Sequence, residues 1–162
     1  ALLGGDLKLD EGELVFVRTD GGRVEIPLLA EGNRKLAMLI YLLRYGVVER
    51  GSTLYWDEPE ANLNPAALKL LAEALHTLAG AGVQVVAATH SLFLLREFEI
   101  LRLREANVSR DAERPTNRYF GLVQARGRAV QVSQGSDIES IEPLVLLDEN
   151  LLQSDRFMEV AG

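Results

Sequence analysis

The 162-residue sequence contains no cysteine, which excludes both a disulfide framework and a thiolate metal site. It holds no apolar run near the ~20 residues that a membrane helix needs, so a membrane partner is not expected. No basic segment followed by an apolar stretch opens the chain, so it shows no signal peptide. Basic residues are outnumbered, with 17 Lys and Arg against 24 Asp and Glu and a formal net charge of −7. That balance argues against a general nucleic-acid-binding surface, which would be a basic stripe, though it leaves a local patch open. What remains is ordinary globular composition, 48% hydrophobic and 25% charged, in a length suited to one domain (1–162) with a real core. No repeat or low-complexity tract interrupts it. The first residue is Ala1 rather than Met, which fits an excised piece of a longer chain.

Residues 13–28, ELVFVRTDGGRVEIPL, read as a β-hairpin whose Asp20-Gly21-Gly22 supplies the positive φ of a tight turn. Residues 31–45 place Leu36, Leu39, Ile40 and Leu43 at helical spacing, with Gly46 as a stop. Residues 53–56 form a short apolar run that reads as a buried strand. A helix follows, with Pro65 in its first turn, a stripe of Leu68, Leu71, Ala72, Leu75 and Leu78, and Gly80 and Gly82 closing it. Residues 83–88 are a second buried strand. Two buried strands joined by an amphipathic helix predict a βαβ crossover, and so an α/β fold with a partial parallel sheet, flanking helices and β-hairpins. A short helix over 92–97 and a strand near 100–103 come next, then an exposed loop over 104–118. Residues 119–162 supply strands at 119–125 and 129–133 around Arg126-Gly127-Arg128, a polar hairpin tip, and a helix from about Asp137. The acids Asp148, Glu149 and Asp155 read as solvated helix residues, not as a nuclease site.

Three segments carry chemistry. In TLYWDEPEANLNP (53–65) a strand ends in Asp57 and Glu58, and Pro59 stops it at once. In an open α/β sheet such strand ends line the ligand crevice, where one carboxylate can serve Mg²⁺ and the other can orient an attacking water. A bare acid pair after a strand is more often a solvated turn; the continuation through Ala61-Asn62-Leu63-Asn64-Pro65 is what favours function. Tyr55 and Trp56 read as packing residues. In AATHS (87–91), His90 repeats the position of the acid pair one crossover later, and an imidazole can donate to a phosphate oxygen or a water. In LLAEGNRK (28–35), Gly32 permits close backbone approach, and the free amides of a helix start form an anion site.

In this order the three segments resemble the ABC-type ATPase family, and within it the SMC-like group of AAA-labelled bacterial ATP-binding proteins. The resemblance covers roughly residues 28–103, and WDEPEANLNP is its most specific element. It implies a P-loop ATPase domain of which this chain is the C-terminal lobe. It implies that Asp57 ends the Walker B strand and supports Mg²⁺, that Glu58 polarises the hydrolytic water, and that His90 senses the γ-phosphate. Residues 62–65, with Asn62 and Asn64, then match the D-loop that crosses a dimer interface. Ala30, Glu31, Gly32 and Asn33 occupy the signature position, which caps the nucleotide of the opposite subunit.

Two departures accompany the resemblance. Ala30 stands where the family usually carries a serine, which shifts phosphate contact to the amides near Gly32 and to Asn33, Arg34 or Lys35. No Gly-x-x-x-x-Gly-Lys-Ser/Thr loop occurs anywhere in the chain, although that loop cradles the phosphates and supplies a Mg²⁺ ligand. The expectation is therefore a cytoplasmic lobe that uses ATP and Mg²⁺ only in the complete protein, as a homodimer or with an N-terminal Walker A lobe, and is inactive alone. The resemblance implies work on nucleic acid in DNA maintenance, or control of an effector in phage defence. The alternative is a regulatory or binding module, derived from such an ATPase, without catalysis.

Overall fold

A computed structural model describes residues 5–10, 13–108, 116–124 and 127–161. The chain divides into two compact units, Ala1–Thr89 and His90–Gly162.

In the first unit, β1 (Gly5–Asp10), β2 (Glu13–Arg18) and β3 (Arg23–Glu25) form an antiparallel sheet in the order β1-β2-β3. The expected hairpin is β2–β3. Its turn is closed by the Arg18 amide on Gly22 O at 2.8 Å and the Gly21 amide on Arg18 O at 3.0 Å, with Gly21 at φ 84°. That left-handed conformation suits glycine because it has no Cβ to clash. Leu7 and Phe16 from this sheet and Ala37 from helix α1 (Glu31–Arg44) build a buried cluster, with Ile26, Leu29 and Ile40 packed on it. Arg44 at the far end of α1 reaches back to the Leu7 carbonyl and to Asp6, 3.1 Å away.

The crossover is present as expected. Strand β4 (Thr53–Asp57) leads through helix α2 (Pro65–Gly80) to β5 (Gln84–Ala88), and β4 pairs with β5 in parallel, Asp57 opposite Ala88. Helix α2 starts where Pro65 can occupy the first turn without losing a hydrogen bond. Asn64 caps it by accepting from the Ala67 amide at 2.9 Å. Its apolar stripe buries Leu68, Leu71, Ala72 and Leu75. The opposite face of the strand pair is open: Thr53, Tyr55, Asp57, Gln84, Val86 and Ala88 are all exposed. Tyr55, expected to pack, is 76% exposed on that face, whereas Trp56 is half-buried.

The second unit departs more from the sequence pattern. Helix α3 (Leu92–Val108) is one continuous helix, replacing the expected short helix and the strand near 100–103. The short apolar run Ile100-Leu101-Arg102-Leu103 suits a strand, but no Gly or Pro interrupts 92–108, and the stretch is rich in Leu, Arg and Glu, all strong helix formers. Ser91 caps it, its Oγ accepting from the Leu94 amide at 3.1 Å. The expected loop over 104–118 thus begins inside a helix, and its residues 109–115 lie outside the described residues, as does Arg126 of the hairpin tip.

Strands β6 (Tyr119–Val123) and β7 (Gln131–Gly135) pair antiparallel, with β7 starting two residues later than expected. Helix α4 (Val145–Ala161) also begins later than Asp137. Asp137 instead closes a local turn by accepting from the Ser140 amide at 2.8 Å, and Pro143 disfavours helical backbone in the residue before it. Asp148, Glu149 and Asp155 are exposed on α4. Among the described residues no helix is long and apolar enough to cross a membrane.

Candidate functional site

The site is built where β4 runs out. Asp57 is the last residue of β4 and is exposed. The parallel ladder continues one step further, because the Glu58 amide donates to Ala88 O at 2.9 Å. Glu58 then turns away at φ 44°. A left-handed backbone is uncommon for a residue with a long side chain and crowds its Cβ against the carbonyl. Pro59, which cannot continue a ladder, is fully buried.

The next residues form a compact turn. The Ala61 amide donates to Glu58 O at 3.1 Å and the Leu63 amide to Glu60 O at 3.0 Å. Asn62 is also left-handed, at φ 64°, a conformation asparagine tolerates well. Asn64 then caps α2, as described above.

Helix α1 presents its N-terminus to this turn. Its first intrahelical bond is Arg34 N–H to Ala30 O at 3.0 Å, so the amides of Glu31, Gly32 and Asn33 have no acceptor within the helix. Ala30 is the N-cap and its methyl side chain makes no cap hydrogen bond. Glu31 Oε2 accepts from Asn62 Nδ2 at 2.6 Å. Gly32 is buried against the same residue: a Cβ built on it would lie 2.5 Å from Asn62 O and 2.6 Å from Leu63 Cδ2. The close approach that Gly32 permits here is to this turn. One helical turn on, Lys35 Nζ donates to Glu58 O at 3.0 Å. From the other side, Thr89 Oγ1 donates to Glu60 Oε1 at 2.6 Å.

The structure therefore brings Glu31, Gly32, Asp57, Glu58, Asn62 and Asn64 into one neighbourhood of the first unit, with Ala30 and Asn33 at the start of the same helix. His90 follows Thr89 directly, is exposed, and opens the second unit. Sequence reasoning assigned no role to the Glu60–Thr89 bond or to Lys35 as a partner of Glu58. One signal was available for Lys35: it lies four residues after Glu31, hence on the same helix face.

Among the described residues no group of three or more His, Cys, Asp or Glu side chains could hold a metal ion. The arrangement fits Mg²⁺ nonetheless, since Mg²⁺ bound with a nucleotide needs only one or two carboxylates and takes its other ligands from phosphate and water. Asp57, exposed at the end of β4, is a carboxylate of that kind, and Glu58 follows it directly. The amides at the start of α1, without an acceptor inside the helix, are of the type that binds phosphate oxygens.

The fold is shared with solved SMC ATPase heads. One solved chain comes from work on "ATP-driven dimerization and DNA stimulated activation of SMC ATPases". It is 16% identical, with a TM-score of 0.59 over 94% of this chain and 82% of that one. Another is the Smc head domain with an extended coiled coil bound to the C-terminal domain of ScpA, from Pyrococcus furiosus. It is 15% identical, with a TM-score of 0.55 over 96% of this chain, which spans 35% of its length. No curated protein matches the sequence. The class is thus an α/β domain with the fold of an SMC ATPase head. The chain belongs to the family described as "AAA domain, putative AbiEii toxin, Type IV TA system", which matches residues 6–96, from β1 into α3.

Proposed function

We propose that this chain is the catalytic half of an ATPase head that closes a dimer around ATP and reopens on hydrolysis. The observation that carries this reading is the placement of Asp57 and Glu58 at the C-terminal rim of a parallel strand pair, where α/β sheets bind ligands. When bound, ATP supplies the scissile phosphoanhydride and Mg²⁺ neutralises charge on its phosphates. Asp57 would hold the Mg²⁺ side of the site. Glu58 would orient the attacking water and accept its proton. His90, two residues after the end of β5, would donate a hydrogen bond to the γ-phosphate. The α1 start (30–33) and the turn carrying Asn62 and Asn64 would face the nucleotide of a second subunit, as backbone donors and interface contacts.

The open face of β4–β5 supports a second part of the reading. Parallel sheets are normally covered on both faces, and a two-stranded parallel pair with Tyr55 and Val86 in solvent lacks such cover. A lobe carrying a phosphate-binding loop, packed on this face, would supply it. ATP-driven closure is then a population shift: nucleotide binds the closed state more tightly, and hydrolysis removes that difference. The family description, which names a toxin of a toxin–antitoxin system, supports a defence role for the switch. The SMC likeness supports a DNA-associated one.

A non-catalytic regulatory module is favoured by one observation, the methyl side chain of Ala30 at the N-cap, which cannot offer a hydroxyl to phosphate. Replacing Glu58 with Gln in the full-length protein decides between them. Slow hydrolysis with ATP trapped in a closed dimer supports the catalytic reading; turnover close to that of the unsubstituted protein removes Glu58 from it.

A further inference from the structure

We infer that Lys35 is a positioning residue for Glu58, acting through the backbone and not through phosphate. The inference rests on the ATPase reading above and adds a role for a residue outside the acid pair. Glu58 is held at both ends of its own residue. Its amide is fixed on Ala88 O at 2.9 Å, and its carbonyl accepts two donors, the Ala61 amide at 3.1 Å and Lys35 Nζ at 3.0 Å. Once the amide and carbonyl of a residue are fixed, the direction of its Cα–Cβ bond follows. Here that direction is one which the left-handed φ of 44° makes costly, so it persists only while its surroundings enforce it. The donor from Lys35 is cationic, and a charge-assisted bond is stronger than a neutral one.

Lys35 is itself constrained. It leaves α1 on the face that carries Glu31, whose carboxylate holds Asn62 at 2.6 Å, and Gly32 rests against Asn62 O in the same turn. The first turn of α1 and the turn after β4 therefore move together. A contact that shifted α1 would be felt at the Glu58 carbonyl through Lys35.

The test uses the full-length protein with Lys35→Met and Lys35→Arg. Amide exchange at Ala61, whose N–H shares the Glu58 carbonyl, reads the clamp without ATP. Exchange about fivefold or more faster in Lys35→Met, and restored towards the original by Lys35→Arg, is expected for local opening of this turn. In Mg²⁺-ATP turnover, Lys35→Met should lower kcat about tenfold with KM within about twofold, the signature of misplacing a reacting group while leaving binding intact. Unchanged exchange, or a rise in KM with kcat preserved, overturns the inference, the latter by assigning Lys35 to direct phosphate contact. Absence of turnover in the unsubstituted protein would instead sink the ATPase reading, and the exchange result would still decide the clamp.

Discussion

Asn62 donates its side-chain amide to Glu31 at 2.6 Å, joining the start of α1 to the turn that follows the acid pair. The two residues are 31 positions apart in the chain, and the join works because Gly32 lets α1 approach the Asn62 backbone. A Cβ at position 32 would meet Asn62 O at 2.5 Å and the Asn62 carbonyl carbon at 3.2 Å. Those atoms are backbone and cannot swing aside. Gly32→Ala should therefore lower stability by about 1–3 kcal/mol, the usual range for overpacking, despite the ~1 kcal/mol by which Ala favours helix over Gly. Urea unfolding measures this. A Gly32→Ala variant as stable as the original would mean that α1 and the turn are not in close contact.

Glu58 carries backbone strain. A left-handed residue with a Cβ costs ~1–2 kcal/mol relative to glycine, and Glu58 sits at φ 44°. Glu58→Gly should raise stability by about 1 kcal/mol, whereas Glu58→Ala, which keeps the Cβ, should not. Both should abolish turnover in the full-length protein. A shared stability for the two variants would show that the strain has been relieved elsewhere. The asymmetry with Asn62 is informative: the left-handed turn residue is the type that tolerates it, and the candidate catalytic residue is not. Strain retained at a reacting group is a common mark of function.

Much of this was legible in the residues. The β4–α2–β5 crossover could be read because apolar runs and the Leu68-to-Leu75 stripe have distinct periods and Pro65 marks the helix start. The hairpin turn at 20–22 could be read because its glycines reach the positive φ that a tight turn needs. Strand β1 was not singled out, although Asp6-Leu7-Lys8-Leu9-Asp10 alternates as a half-buried strand does; five residues are a weak signal without a known partner. Helix α3 was misread because a short apolar run near 100–103 outweighed the absence of any breaker across seventeen residues. At the site, sequence supplied the residue types and their order. Contacts such as Lys35 to the Glu58 carbonyl depend on side-chain reach across 23 positions, and the spacing of Lys35 from Glu31 fixes only the helix face, not the partner.

Ala30 offers a direct test of the helix start. It is an N-cap without a side-chain acceptor, and the amides of α1's first turn have no helical partner. Ala30→Ser should stabilise the chain by about 0.5–2 kcal/mol, the measured worth of a serine cap over alanine. Ala30→Val, which adds bulk and no acceptor, should give no gain. In the full-length protein the same serine hydroxyl should also lower the KM for ATP if the α1 start faces phosphate. A stability gain with no change in KM would leave the cap intact and remove this segment from nucleotide contact.

In the second unit, Tyr119 carries a dependence on alkaline pH. Burial pushes its phenol up from 10.0 to about 12, reinforced by the Glu99 carboxylate and opposed by the Asn117 side-chain amide, which donates to the phenol oxygen at 3.1 Å. Arg102, held on Glu99, also opposes the rise. Because the folded value lies above the ordinary one, the neutral phenol is the form that folding favours. Its stabilising contribution is fully present below pH 10.0 and is lost as pH rises towards about 12. Tyr119→Phe should therefore flatten the alkaline limb of a stability–pH curve across that window. Tyrosinate absorbance should lose its step at about pH 12 in the same variant. An alkaline limb unchanged by Tyr119→Phe would place the sensitive group elsewhere in the chain.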